Sequence, residues 1–233
     1  MSFVDNKINI GFTLRRMVSL IWPINCSVCD TPLRRHEHTI CLKCIADLPR
    51  IRTDHELPYI GTGNNNINII SWFLYSKDYP SHRLIHDIKY HGMRNLARRL
   101  GREFAMQKLV DANDIDILVP IPLHWSKFWV RGYNQTREIA LGIKDVKGVP
   151  VSKNLYAVKS HVSQTLSSRE QRAENVSGIF EVRNPSELDG KHIALVDDVI
   201  TTGATMFSAL DSILKSASPR SVTFLSLART QNL

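Results

Sequence analysis

The stretch HIALVDDVITTGATMFSAL, residues 192–210, changes character in its middle. An apolar run rich in β-branched residues ends in two adjacent carboxylates, Asp197 and Asp198, and a turn with three threonines and one glycine follows. The residues after this turn have a helical pattern of apolar positions. The stretch therefore predicts a buried strand, a polar turn and a helix, with both carboxylates at the carboxyl end of the strand.

The polar residues of this stretch predict the kind of ligand that it binds. Two adjacent carboxylates repel each other, and they are accommodated more easily if they accept hydrogen bonds from ligand hydroxyls or face a cation. The turn TTGAT (201–205) offers backbone N–H groups and hydroxyls at the start of a helix, which is a site for anions. A ribose 5-phosphate has vicinal hydroxyls at one end and a phosphate at the other, so it would satisfy both halves.

A purely structural interpretation of the same residues is an alternative. In this interpretation the aspartates cap the helix and the threonines only form the turn. A helix start needs one cap, however, so the alternative leaves one aspartate and the repeated threonines without a reason. We therefore favour the ligand site.

The rest of the chain alternates apolar strands with amphipathic helices from residue 67 onwards. Strands are predicted at 67–75, 114–122, 178–182, 192–198 and 221–228, and helices at 80–92, 94–110, 134–143 and 204–217. This alternation predicts an α/β fold with a mainly parallel sheet and helices on both of its faces. We expect two parts, an N-terminal helix with a metal-binding segment at 1–60 and a larger domain at 67–233.

All four cysteines lie in two C-x2-C pairs, Cys26 with Cys29 and Cys41 with Cys44. A tight turn aims both thiolates of such a pair at one point, so two pairs make the closed four-sulfur site of structural zinc. Two disulfides are the alternative, which we disfavour because nothing else in the sequence indicates an oxidising compartment. His36 and His38 lie between the pairs and are interpreted as loop residues.

The composition is that of an ordinary globular protein, with 43% hydrophobic and 22% charged residues. The formal net charge of +8 favours anionic ligands or partners, but it does not choose between phosphorylated compounds, nucleic acid and acidic proteins. The N-terminal apolar stretch MVSLIWPI (17–24) is too short to span a bilayer, and no signal-peptide cleavage pattern follows it. We therefore expect a cytoplasmic protein without a membrane span.

Several segments resemble known protein families. VDDVITTGAT (196–205) resembles the phosphoribosyl-pyrophosphate (PRPP) signature of type I phosphoribosyltransferases almost residue for residue. IHDIKYHG (85–92), VPIPLHWSKFWVRGYNQT (119–136) and KSHVSQTLSSREQRAENVSGIF (159–180), together with the four cysteines, resemble the ComF family of competence proteins. The resemblance implies a type I phosphoribosyltransferase-like α/β fold with a small N-terminal zinc-binding segment.

The resemblance also implies which residues bind PRPP. The carboxylates Asp197 and Asp198 would bind the ribose hydroxyls. The 5-phosphate would lie against the residues of the following turn, which are Thr201, Thr202, Gly203, Ala204 and Thr205. Leu123 and His124 would meet the pyrophosphate. Mg²⁺ would be held mainly by PRPP oxygens and water.

The reaction that the resemblance implies is a displacement at the anomeric carbon of PRPP. Cations would stabilise the departing pyrophosphate, which is an electrostatic task. The cations implied in this catalytic role are Lys89, Arg131 and Lys159, and Arg169 and Arg172 would close over the ligand with them.

One segment departs from the family pattern. The family often has extra arginines before RGYNQ, whereas this chain has HWSKFWV (124–130), in which Lys127 is the cation and Trp125, Phe128 and Trp129 are aromatic. These aromatic side chains could stack on the bases of single-stranded nucleic acid. The interpretation that we favour is a loop packed onto the core.

Three functions are consistent with these features. The first is a PRPP- and Mg²⁺-binding phosphoribosyltransferase-like protein of the ComF type, which by resemblance acts in DNA uptake or in the handling of single-stranded DNA. The second is a non-catalytic adaptor that binds DNA or a DNA-uptake helicase and has a sensory or vestigial PRPP site. The third is a nucleobase-salvage phosphoribosyltransferase. The sequence leaves open whether transfer is catalysed, and to which acceptor.

Overall fold

The computed structural model describes residues 25–26, 28–34, 37, 40–51, 55–57, 67–158 and 178–231. The chain divides into two units, Met1–Asp47 and Leu48–Leu233. The described part of the first unit contains the helix α1 (Leu42–Asp47). The predicted N-terminal helix lies outside the described residues.

The second unit alternates strands and helices. Its elements in chain order are β1 (His55–Leu57), β2 (Ile67–Leu74), α2 (Pro80–Tyr90), α3 (Arg94–Lys108), β3 (Ile117–Pro120), α4 (Trp125–Arg131), α5 (Gln135–Lys147), β4 (Leu155–Ala157), β5 (Phe180–Val182), a 3₁₀ helix (Pro185–Glu187), β6 (His192–Ile200), α6 (Ala204–Leu214) and β7 (Ser221–Arg229). The alternation agrees with the sequence pattern, which does not predict the three-residue strands β1 and β4. Each helix in the described part of the chain is too short or too polar to cross a membrane.

The main sheet has the strand order β1-β2-β7-β6-β3. The edge strand β1 is antiparallel to β2, and the other neighbours are parallel. In the register, Val196 of β6 lies beside Pro120 of β3 and Leu225 of β7. The carboxyl ends of the parallel strands therefore meet at one edge, which is where ligands bind in such sheets. The prediction of a mainly parallel sheet is confirmed.

Helices cover both faces of this sheet. On one face, the buried side chains of Leu195 and Phe224 share a hydrophobic core with Leu210 of α6. On the other face, the ring of Trp72 in β2 lies 6.3 Å from the ring of Phe104 in α3. Full burial of large side chains on both faces contributes about 1.5–3 kcal/mol for each one. The fold class predicted from the sequence is confirmed.

Two glycines allow α3 and α5 to pack closely together. A Cβ atom at Gly101 would overlap the carbonyl oxygen of Ile139, and one at Gly142 would overlap that of Arg98. The Arg98 guanidinium also donates to Asp145 of α5 at 2.7 Å. This close contact fixes the position of α5, whose first residues contribute to the candidate site.

The aromatic segment before RGYNQ is a helix, so the prediction of a loop packed onto the core is wrong. The helix α4 is seven residues long, and all of its residues are exposed or half-buried. The side chains of Trp125 and Trp129 are 67% and 82% exposed. The segment forms a helix because His124 caps its first turn and Gly132 ends it in the left-handed conformation, with φ of 72°.

Candidate functional site

A cavity of about 270 Å³ lies at the carboxyl ends of β3 and β6. Its polar lining residues are Tyr75, Lys89, His124, Lys127, Arg131, Gln135, Thr136, Asp197, Asp198, Thr201 and Thr205, and its apolar lining residues are Ile121, Pro122, Leu123, Ala157, Ile179, Phe180 and Val199. A smaller cavity of about 30 Å³ is lined by residues 197 and 199–206. Because Asp197, Val199, Thr201 and Thr205 line both cavities, the two adjoin and are treated as one candidate site.

The two adjacent carboxylates have different surroundings, because successive side chains of a strand point to opposite faces. Asp198 is buried, and its carboxylate lies 3.2 Å from the ammonium group of Lys89. The side-chain amide of Gln135 donates to Asp198 at 3.0 Å. Asp197 is partly exposed, and one of its oxygens accepts the backbone N–H of Asp198 at 2.8 Å. Both carboxylates line the cavity, and Asp197 is the more accessible of the two.

The charges of this pair shift the pKa values of Asp197 and Lys89. Desolvation, followed by repulsion from Asp198, raises the pKa of Asp197 to about 8. Burial lowers the pKa of Lys89, but attraction by Asp198 and Asp197 outweighs it, and the net shift is upward. Lys89 is thus held in its charged form. A ligand that brings a positive charge or donates hydrogen bonds would stabilise the ionised form of Asp197.

The turn after β6 is shaped for close approach of a ligand to the backbone. Gly203 adopts a left-handed conformation, with φ of 75°, directly before α6 begins. The Thr230 hydroxyl donates to the carbonyl oxygen of Thr201 at 2.9 Å and so anchors the start of the turn. The hydroxyl of Thr202 accepts the backbone N–H of Ala204 at 3.4 Å. The turn leads N–H groups and hydroxyls toward the smaller cavity, as an anion site requires.

The helix α4 supplies further cations to the cavity. Lys127 and Arg131 line the cavity, and His124 lines it just before the helix starts. The guanidinium of Arg131 lies 5.2 Å from the ring centroid of Tyr90, within the range of a cation–π contact. The cavity therefore combines carboxylates and hydroxyls with positive charges from Lys89, Lys127 and Arg131.

The RGYNQ segment (131–135) links the elements that surround the cavity. The hydroxyl of Tyr133 donates to the carbonyl oxygen of Ile88 in α2. Asn134 caps α5, and the Thr136 hydroxyl donates to the carbonyl oxygen of Ile121 at 2.6 Å. These bonds hold Gln135 in position to donate to Asp198. In the sequence, Gln135 stands out only as part of the RGYNQ motif, and its position directly after the helix cap Asn134 is the signal that could have identified it.

The four cysteines of the first unit form one cluster, whose sulfur atoms all lie within 4.8 Å of one another. The sulfurs of Cys29 and Cys41 are 3.8 Å apart, close to the separation expected around a tetrahedral zinc ion with bonds of about 2.3 Å. The backbone N–H groups of Val28 and Cys41 both donate to the Cys26 sulfur at 3.4 Å.

The thiol chemistry of this cluster also fits a cation. Hydrogen bonding to Thr31 lowers the pKa of the Cys29 thiol to about 6. Burial raises the pKa of the Cys41 and Cys44 thiols, so their thiolates need a compensating positive charge. The four thiols are unbridged. The cluster could therefore hold zinc, as the spacing predicts.

The structure brings most of the predicted site residues together. The cavities are lined by Lys89, Leu123, His124, Arg131, Asp197, Asp198 and residues 201–205. Lys159, Arg169, Arg172, His36 and His38 lie outside the described residues. The sequence pattern did not point to Tyr75 or to Ile179 and Phe180, which add an aromatic and an apolar part to the lining.

Comparisons with known proteins agree with this fold. The family model of the phosphoribosyl transferase domain matches residues 132–232. The DNA utilization protein YhgH of Escherichia coli is 27% identical over 213 residues, which cover 84% of this chain and 86% of that protein. Competence protein F of Haemophilus influenzae is 29% identical over 116 residues, and the match covers 49% of this chain and half of that protein's length.

Two further similarities cover less than half of the other protein's length. Competence protein ComFC of Bacillus subtilis is 29% identical over 116 residues, which cover 49% of this chain and 45% of that protein. Among solved structures, the glutamine PRPP amidotransferase of B. subtilis is 17% identical, with a TM-score of 0.41 over 61% of this chain and 30% of that one.

Proposed function

Since this chain belongs to the ComF family and has a type I phosphoribosyltransferase fold, we propose that it binds PRPP with Mg²⁺ in the cavity at the carboxyl ends of β3 and β6. The observation that carries this proposal is the charge distribution around the cavity. Carboxylates and a threonine turn form one side, and Lys89, Lys127 and Arg131 supply positive charge to the same space. PRPP has hydroxyls, a phosphate and a pyrophosphate, which these groups complement.

Each group has a specific part in this proposal. Asp197 accepts the ribose hydroxyls, and the backbone and hydroxyls of residues 201–205 donate to the 5-phosphate. Asp198 keeps Lys89 charged and near the ribose, and Gln135 orients Asp198. Lys127 and Arg131 lie on the side that receives the pyrophosphate.

The proposed chemistry is the loss of pyrophosphate from the anomeric carbon. Mg²⁺, when bound, supplies positive charge to the leaving group, and the carboxylate of Asp197 is the kind of hard oxygen ligand that it prefers. Lys127 and Arg131 add fixed positive charge in a partly enclosed site, where such charge stabilises a departing anion most effectively. We propose that the four cysteines hold a structural zinc ion.

Calorimetric titration with PRPP and Mg²⁺ tests the ribose assignment. We expect Asp197→Asn to weaken binding by about tenfold or more, since a hydrogen bond to a charged group contributes about 1.5–3 kcal/mol. The matched control is Asp111→Asn, which removes the same charge from an exposed position in the segment before β3. Equal PRPP affinity in the wild type and the Asp197 variant would refute the assignment.

Pyrophosphate release tests whether transfer occurs. Wild-type protein would be incubated with PRPP, Mg²⁺ and either free nucleobases or single-stranded oligonucleotides as acceptors. Release that depends on an acceptor and is lost in Arg131→Ala supports transfer. Binding without release from any acceptor would make the protein a PRPP-dependent binding module instead.

The surface of α4 supports a second part of the proposal, which is contact with single-stranded DNA. Trp125, Phe128 and Trp129 are exposed on the same helix that carries Lys127 and Arg131. Aromatic rings beside cations stack on bases and attract the backbone phosphates. Relatives named as competence and DNA utilization proteins fit this role, and a cytoplasmic location would suit it.

Fluorescence anisotropy with a labelled oligo-dT tests this surface. We expect Trp125→Ala/Trp129→Ala to lower the affinity by about tenfold or more, since stacking contributes about 1–3 kcal/mol per base. Met106→Ala is the control, because it removes an exposed apolar side chain from α3. Unchanged affinity in the tryptophan variant would exclude α4 as the DNA contact.

A further inference from the structure

A second cluster of metal-ligating side chains lies on α2. It consists of His86, Asp87 and His91, at the carboxyl end of the helix. The three side chains are not among those that line the cavity described above. The ligand site proposed for the cavity therefore does not account for this cluster.

The geometry of this cluster is close to that of a metal site. The Nδ1 atom of His91 lies 3.0 Å from Oδ1 of Asp87, and Nδ1 of His86 lies 3.9 Å from the same oxygen. The three ligand atoms all lie within 4.8 Å of one another. A tetrahedral zinc ion with bonds of about 2.0–2.1 Å holds such atoms about 3.3 Å apart. Both imidazoles are about half exposed, so an ion from solvent can reach them.

The burial of the Asp87 carboxylate also favours a cation at this position. Its side chain is 7% exposed, and within the described part of the chain its ionic partners are the rings of His86 and His91. The two imidazoles are charged partners of this carboxylate only when they are protonated. Buried carboxylates are normally paired with a charge or bound to a metal. A divalent ion between the three side chains would supply this charge.

We propose that His86, Asp87 and His91 bind a divalent transition-metal ion of the zinc type. Two imidazoles and one carboxylate are ligands that suit zinc, nickel and cobalt, whereas Mg²⁺ prefers oxygen ligands alone. Three protein ligands leave a fourth position open to water or to a ligand, unlike a closed four-sulfur site. The ion is expected to be exchangeable, because both histidines are accessible to solvent.

Binding at this site would stabilise the end of α2. His91 is the cap residue of the helix, and its backbone N–H already donates to the carbonyl oxygen of Asp87 at 3.0 Å. A metal ion bound by the side chains of both His91 and Asp87 would add a second link between these two residues. Lys89 belongs to this turn, so the metal would hold the segment that carries the partner of Asp198.

The zinc content of the purified chain after equilibrium dialysis tests the proposal. We expect His86→Gln/His91→Gln to contain one zinc ion fewer than the wild type, with its cysteine site intact. His82→Gln is the control, because it removes a histidine from the same helix without touching the cluster. Equal zinc content in the wild type and the double variant would overturn the proposal. Far-UV circular dichroism and thermal denaturation report whether the variant is folded.

A second measurement uses the unaltered chain. Diethylpyrocarbonate modifies accessible imidazoles, and the modified positions are identified by mass spectrometry. We expect added Zn²⁺ to protect His86 and His91 but not His82, and added Mg²⁺ to protect none of the three. Modification of His86 and His91 that is the same with and without Zn²⁺ would refute the site. The result is independent of the proposed function, because neither assay requires PRPP to bind.

Discussion

The two sides of the cavity are built in different ways. The β6 side, which we define as Asp197, Asp198 and the turn 201–205, continues from a central strand of the sheet, and Asp198 is almost fully buried. The α4 side is a short helix with large aromatic side chains in solvent. The comparison indicates that substitutions on the β6 side change stability and binding together, whereas replacement of exposed side chains on the α4 side changes mainly binding.

Among the residues that line the cavity, the largest expected effect of a substitution follows from the ion pair on the β6 side. Asp198→Asn leaves the ammonium group of Lys89, which is 24% exposed, without its main counter-charge. Removing one partner of a buried pair costs about 3 kcal/mol or more. We expect urea denaturation to show a loss of free energy of unfolding of about 3 kcal/mol, together with loss of PRPP binding.

The double variant Lys89→Met/Asp198→Asn is the control for this effect. It removes both charges, so it should lose less stability than Asp198→Asn alone. A double variant that is less stable than either single variant would show that the ion pair is not the source of the effect.

The next effect compares two glycines in the left-handed conformation, one on each side of the cavity. Gly203→Ala incurs the backbone cost of about 1–2 kcal/mol, and its Cβ atom would also lie 3.0 Å from the ring of Phe207. Gly132→Ala has the same backbone cost, but its Cβ would point into open space. We expect thermal denaturation to show a larger loss for Gly203→Ala, by about 1 kcal/mol. Equal losses would contradict the packing difference between the two sides.

The pKa of Asp197 predicts a pH dependence. Because folding raises this pKa to about 8, the folded state holds the proton more tightly than the unfolded chain, and stability falls as pH rises from about 4 to about 8. Asp197→Asn removes this titration. At pH 8 we expect the variant to be more stable than the wild type by about 1 kcal/mol, the equivalent of less than one pKa unit, since the side chain is partly exposed.

Thermal denaturation of both proteins across this pH range checks the prediction. The difference between their melting temperatures should grow with pH, because the wild-type carboxylate becomes charged beside Asp198. A constant difference would show that Asp197 already titrates normally in the folded protein.

The smallest effect on stability is expected on the α4 side. Trp129 is 82% exposed, so Trp129→Ala should change the free energy of unfolding by less than about 0.5 kcal/mol. Trp72 in β2 is 1% exposed, and its replacement by alanine should cost about 3–5 kcal/mol in the same assay. A loss of more than about 1 kcal/mol for Trp129→Ala would show that α4 is more tightly packed than its exposure indicates.

Much of the fold and of the site was predictable from local patterns. Strand and helix periodicity identified the alternating elements, and the carboxylates and threonine turn could be placed at a strand end. The helix α4 was missed because aromatic residues usually indicate burial, whereas here the caps His124 and Gly132 define the helix and the rings remain in solvent. The role of Gln135 was missed because its contact with Asp198 spans 63 positions of the chain.

The sequence by itself determined the fold class, the polar residues at the end of β6 and the four-cysteine cluster, because these follow from periodicity and short spacings. Only the tertiary structure decided which carboxylate is buried against Lys89 and which one stays more accessible in the cavity. It also showed that α4 brings Lys127 and Arg131 to the same space. The physical reason is that burial and charge pairing depend on neighbours that are distant in sequence, and folding alone brings them together.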